Sequence, residues 1–177
     1  WKFPDTSSYE DKGGTMWIGS RGAGLYSLKE GKKLEFRSYS HIRNNSCSLS
    51  NNFINMVCED KKGNIFICTE GGLNYLNRSN NKFISFSSSH GLPDLILQGV
   101  LQDELGNLWI SSKKGITKVL VPSSFPENPN LTFVAYDKED GLQSNIFNNY
   151  ACAKTKQGNM FFGGINGFIC FHPSKIG

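Results

Sequence analysis

Four copies of one phrase constrain this chain more than any other feature of its 177 residues. The copies are Asp11-Lys12-Gly13-Gly14-Thr15-Met16-Trp17-Ile18-Gly19-Ser20, Asp60-Lys61-Lys62-Gly63-Asn64-Ile65-Phe66-Ile67-Cys68-Thr69, Asp103-Glu104-Leu105-Gly106-Asn107-Leu108-Trp109-Ile110-Ser111-Ser112 and Lys156-Gln157-Gly158-Asn159-Met160-Phe161-Phe162-Gly163-Gly164. Trp17, Phe66, Trp109 and Phe161 hold the same place in the phrase, spaced by 49, 43 and 52 residues. A period of about 40–50 residues is that of one four-stranded propeller blade, which cannot bury its own faces and must stack on others like it.

Each part of the phrase has a task in a hairpin. The Gly-Asn or Gly-Gly step supplies the positive φ of a tight reversal, and the Asp or Lys before it is expected in solvent. The apolar-aromatic-apolar triplet predicts a second strand covered on both faces, with Trp17, Phe66, Trp109 and Phe161 buried between blades. A second reversal at Gly22-Ala23-Gly24, Gly71-Gly72, Lys114-Gly115 and Asn166-Gly167 leads into a third strand. A fourth, outer strand is expected at Leu34–Tyr39, Lys82–Phe86 and Leu131–Tyr136, alternating so that one face is wet. Inner strands are expected at Phe53–Cys58, Ile96–Leu101 and Ile146–Ala153, lining a central axis. The reading is all-β: a single propeller segment over 1–177, with blades at about 1–40, 41–90, 91–139 and 140–177. The first blade lacks a clear inner strand and the last stops before its outer one.

Composition agrees with short strands and tight turns. Aromatic residues make up 12%, charged residues only 19%, and there are 19 glycines. The net charge is +4, and the Lys pairs 32–33, 61–62 and 113–114 each sit beside a glycine, which marks solvated turns and not a nucleic-acid surface. No apolar run approaches the roughly 20 residues that span a bilayer, so no membrane contact is expected of this segment. The five cysteines form no C-x-x-C pair and have no histidine at metal spacing, which excludes a zinc reading. Cys58, Cys68, Cys152 and Cys170 interrupt apolar strands and are expected to be buried, unpaired hydrophobes.

On these residues the chain resembles the two-component regulator propeller repeat, whose pattern runs from an acidic residue and glycine through a Trp-Ile-Gly-Thr-like strand to Gly-Leu and an aromatic. Ser48-Leu49-Ser50-Asn51-Asn52-Phe53-Ile54 followed by Glu59-Asp60 is similar to that family's inter-blade linker. The stretches Asp140–Asn148, Gly163–Phe168 and Phe171-His172-Pro173 are similar to its final blade. Cys68 and Ser111 depart from the pattern where glycine is usual, as does the extra Gly13-Gly14 turn. The resemblance implies the C-terminal blades of the periplasmic sensor of a hybrid histidine kinase/response regulator from Bacteroidetes, a class that detects glycan breakdown products. It also implies partners outside this chain: the remaining blades, an immunoglobulin-like module, a membrane span and the kinase.

Nothing in the residues predicts catalysis. His41, His90 and His172 are too sparse for a triad and sit in loops or at strand ends, and Asp11, Asp60 and Asp103 recur with the turn. Gly19–Gly24 lacks the Gly-Lys-Ser/Thr of a phosphate loop. No cofactor or metal is expected. Binding remains open, because loops entering the inner strands of a propeller converge around the axis. The candidates there are Asn51, Asn52, Gln98, Asn145, Asn148 and Asn149, amides whose paired donor and acceptor suit sugar hydroxyls and equally suit the capping of turns. Two functions are therefore carried forward: a ligand-sensing segment of a glycan-responsive receptor, and a structural or protein-interaction scaffold. The chain begins at Trp1 without an initiator methionine and ends directly after a strand-like segment. It is accordingly expected to be a cut piece of a larger ring that self-associates unless Trp1–Ser8 folds back to complete a blade.

Overall fold

A computed structural model describes residues 7–176. It contains four antiparallel sheets in chain order, the blades of a β-propeller. Blade 1 comprises β1 (Ser7–Glu10), β2 (Thr15–Gly19), β3 (Leu25–Lys29) and β4 (Glu35–Tyr39); blade 2 comprises β5 (Ile54–Glu59), β6 (Ile65–Thr69), β7 (Gly72–Asn77) and β8 (Lys82–Phe86). Blade 3 is built from β9 (Leu97–Gln102), β10 (Leu108–Ser112), β11 (Gly115–Leu120) and β12 (Thr132–Tyr136). Blade 4 has three strands, β13 (Phe147–Lys154), β14 (Met160–Gly164) and β15 (Gly167–Phe171). No described helix is long and apolar enough to cross a membrane.

Blade 1 thus has an inner strand, contrary to expectation. Ser7–Glu10 pairs with Met16–Gly19, and its short Ser-Ser-Tyr-Glu run carries too little apolar pattern to mark it. Of the Trp1–Ser8 segment expected to complete a blade, residues 1–6 lie outside the described residues.

The repeated phrase closes its first hairpin around a buried carboxylate. Asp11, Asp60 and Asp103 are each less than 5% exposed, which corrects the expectation that these acids face solvent. Asp11 Oδ1 accepts hydrogen bonds from the N–H groups of Gly13 and Thr15, and its Oδ2 accepts from the Trp17 indole at 2.8 Å. Asp103 repeats this with the Asn107 N–H and the Trp109 indole at 3.0 Å. Phe66 has no donor, and there Asn64 Nδ2 bonds Asp60 Oδ2 instead. In blade 4 Thr155 stands in the aspartate's place and accepts from the Asn159 N–H. Burial alone would raise the pKa of Asp11, but the indole, the Thr15 N–H and Arg78, whose Nη2 lies 2.6 Å away, together hold it below its ordinary value.

The core lies between blades. One cluster joins Trp17, Leu25 and Leu49 to Ile54, Ile65, Leu76 and Phe83 across blades 1 and 2. A second joins Phe66, Leu73 and Phe86 to Leu97, Leu108 and Val119 across blades 2 and 3, and a third joins Trp109 and Ile116 to Phe147, Met160 and Phe162 across blades 3 and 4. Blades 1, 2 and 3 therefore each send the aromatic of the second strand toward the blade that follows. Trp17, Phe66 and Trp109 are buried by this arrangement, whereas Phe161, in the same register, is only half-buried because no described blade follows it.

The same geometry corrects two further expectations. Phe83 and Phe86 of β8 are three residues apart, so they lie on opposite faces, and both are buried; this outer strand has no wet face. Cys170 is exposed because its strand β15 forms part of the uncovered end, while Cys68 is buried in the core and Cys58 and Cys152 are partly buried. Burial pushes the thiols of Cys58 and Cys68 well up and that of Cys152 to about 11.

Position relative to the following blade should therefore govern the energetics of the four equivalent aromatics. Trp109→Ala should cost about 3–5 kcal/mol, the range for emptying a closed aromatic site, and Phe161→Ala distinctly less. Urea denaturation of the two variants checks this, and equal losses would contradict it.

Candidate axial site

The inner strands β1, β5, β9 and β13 lie side by side in order around the axis. Their packing is tight enough that Met56 Sδ of β5 lies 3.3 Å from the Val100 N–H of β9 and 3.7 Å from Cys152 Sγ of β13. β5, β9 and β13 each break register near their beginning, between Ile54 and Met56, Leu97 and Gly99, and Phe147 and Cys152. A bulge of this kind re-aims a side chain out of the ladder.

Each bulge presents an amide. Asn55 is fully buried; its Nδ2 donates to the Leu97 carbonyl at 2.8 Å, and its Oδ1 has no partner. Gln98 is 4% exposed with an unpartnered Oε1, and the Asn149 Oδ1 is likewise buried without a partner. Among the described residues, Ser7 Oγ, at the start of β1, completes a set of one unpaired buried oxygen per inner strand. Leaving a buried polar group unpaired costs about 1–3 kcal/mol. The β13 bulge also holds Tyr150 at φ +59, a left-handed conformation that disfavours a side chain.

The six amides singled out in the sequence separate into two groups. Asn51 Oδ1 accepts from the Phe53 N–H, Asn52 Oδ1 from the His41 N–H and Asn145 Oδ1 from the Lys138 N–H, so these three cap turns. The carbonyls of Asn52 and Asn145 also accept from Gly24 and Gly115, clasping the second hairpin of the preceding blade. Gln98 and Asn149 carry the unpaired oxygens, and Asn148, also within the β13 bulge, is exposed. Asn55 was not singled out, because it lies inside an otherwise apolar run; the signal available was its match to Gln98 one blade later. Among the described residues no cluster of His, Cys, Asp or Glu could hold a metal ion.

A family model described as two component regulator propeller matches residues 48–71, the linker, inner strand and second strand of blade 2. Residues 48–71 thus match one two-component regulator propeller repeat. The extracellular domain of a hybrid two component system from B. thetaiotaomicron superposes on 97% of this chain with a TM-score of 0.78 and 25% identity. That of a one component system from the same organism covers 96% with a TM-score of 0.75 and 23% identity, a likeness of fold. In sequence, histidine kinase P4 of Formosa agariphila is 34% identical over 80 residues, 45% of this chain. The chain spans 22% and 24% of the two solved domains and 5% of the kinase.

If the axial oxygens serve a ligand and not the fold, removing one should leave the fold intact. Gln98→Met, which keeps the length and deletes the unpaired Oε1, should leave stability unchanged or raise it by about 1 kcal/mol. A thermal melt checks this, and a fall of that size or more would make Gln98 a structural residue.

Proposed function

We propose that this chain is a sensory segment of a two-component signalling receptor. It lies on the extracytoplasmic, periplasmic side of the membrane and passes ligand occupancy to a kinase outside these residues. The observation that carries the reading is the likeness, over nearly the whole described chain, to the extracellular domain of a hybrid two component system. The family match over blade 2 and the partial likeness to a histidine kinase support it. We read the segment as non-catalytic: Asp11, Asp60 and Asp103, the acids that recur with the repeat, are held by the hydrogen bonds of their turns.

The ligand we propose is a glycan-derived oligosaccharide, held at the axial end of the inner strands. The carbonyl oxygens of Asn55, Gln98 and Asn149 are buried without a protein partner and accept from ligand hydroxyls once the bulges open, and Asn148 lies exposed in the same bulge as Asn149. A polyhydroxylated ligand supplies several donors at once, which suits acceptors spread over the inner strands of three neighbouring blades. Calorimetry of the parent ectodomain against a panel of oligosaccharides tests this. One glycan family should bind, and Gln98→Met should weaken that binding by about tenfold, the equivalent of one buried hydrogen bond. Binding of no glycan would favour the protein-interaction scaffold, and unchanged affinity in Gln98→Met would remove the axial end as the site.

A further inference from the structure

The bulges at the axial end are unequal. In β5 only Asn55, and in β9 only Gln98, stands without an opposite residue on the second strand. In β13 the four residues 148–151 stand against Gly163 alone, so this bulge is a short loop set into an inner strand. Both its ends are fixed. Phe147 is buried in a cluster with Trp109 and Phe162, and Cys152 Sγ lies 3.7 Å from Met56 Sδ, beside Gly99, where a side chain would come within 2.9 Å of that thiol sulfur. The loop also sits close on its own blade, because a side chain at Gly163 would stand 3.0 Å from Ala151 Cβ.

Within this loop a large residue takes a conformation that large residues avoid. Tyr150 has φ +59, and the other non-glycine residues with positive φ among those described are Asn44 and Asn81, whose short polar side chains tolerate the left-handed region. Asparagine would thus serve the backbone better at 150, so the aromatic ring answers to something besides the fold. Outliers of this kind concentrate at ligand clamps, and bulges beside a site re-aim a side chain into it. A loop anchored at both ends on a packed scaffold is also where recognition residues collect. Asn149, next to Tyr150 in the chain, carries one of the buried unpaired oxygens of the axial end.

We infer that the β13 bulge is the recognition loop of the axial end and Tyr150 its specificity-determining side chain, whose ring lies against the C–H face of a pyranose unit. The inference rests on the oligosaccharide reading and adds to it a requirement of shape. The amide oxygens of Gln98 and Asn149 accept from any hydroxyl group, whereas an aromatic ring gains contact only from a flat apolar surface. A six-membered sugar ring with equatorial hydroxyls presents such a surface, and a furanose, with its smaller puckered ring, presents less of one. Tyrosine supplies that contact area with few torsions to freeze, and its apolar body and polar tip suit a ligand that is itself both.

The test measures calorimetric binding of cellobiose, maltotriose, xylotriose and galactobiose to the parent ectodomain, with the furanoside arabinotriose as contrast, alongside the melting temperature. Tyr150→Asn removes the ring and suits φ +59. It should melt no lower than the unmutated protein and bind the pyranoside about 30-fold more weakly, as loss of an anchoring aromatic does. Tyr150→Phe should retain the binding. Unchanged affinity in Tyr150→Asn, with Gln98→Met still weakening the binding, would overturn the assignment of Tyr150 and leave the axial reading standing. A fall in melting temperature shared by Tyr150→Asn and Tyr150→Phe would make the residue structural and overturn it too, as would binding of arabinotriose alone. Binding of none of these sugars would overturn the oligosaccharide reading and this inference with it.

Discussion

Each sheet of this molecule has two apolar faces, and only the neighbouring sheets are available to cover them. No blade has a core of its own: Ile65, Ile67 and Leu76 serve the interface with blade 1, while Phe66, Cys68 and Tyr75, from the same two strands, serve the interface with blade 3. Burial of Phe66 or Trp109 is thus a property of a pair of blades. This is the physical meaning of the repeat, since a unit whose two faces are equally apolar is stable only within a stack.

The buried aspartate makes the stacking geometry reproducible. Its carboxylate gathers the N–H groups of a four-residue turn and, in blades 1 and 3, the indole of the residue six positions on, which fixes the ring that crosses to the next blade. Arg78 of blade 2 then pairs with Asp11 of blade 1 and stands 5.7 Å over the Trp17 ring, so turn, ring and neighbour share one charge-assisted contact. At the other end of the strands the linker carbonyls clasp the second hairpin. With both ends fixed, the inner strands come close around the axis, and the bulges near their beginnings turn Asn55, Gln98 and Asn149 out of the ladder.

Much of this was legible because it repeats. The spacing of Trp17, Phe66, Trp109 and Phe161 announced the blades, and the glycines marked both reversals of each. What escaped depends on what lies across a gap in space. An aspartate before a glycine turn reads as solvated, and only the fold reveals that an indole closes over it. Phe83 and Phe86 read as an edge strand with one wet face until the blades on either side are known. Phe161 and Cys170 carry the same local pattern as their buried counterparts and differ only in having no described neighbour. At the candidate site, Gln98 and Asn149 were visible as polar residues in apolar strands, whereas Asn51, Asn52 and Asn145 were indistinguishable from them until their turn hydrogen bonds were seen.

That blades are stabilised by their neighbours is measured most directly by native-state amide exchange across the second strands. β6 and β10, each between two covered faces, should exchange through the largest opening free energies, and β2 and β14, each with one face uncovered, through markedly smaller ones. Equal protection of all four strands would contradict the account, because it would mean that a blade holds together without the faces of its neighbours.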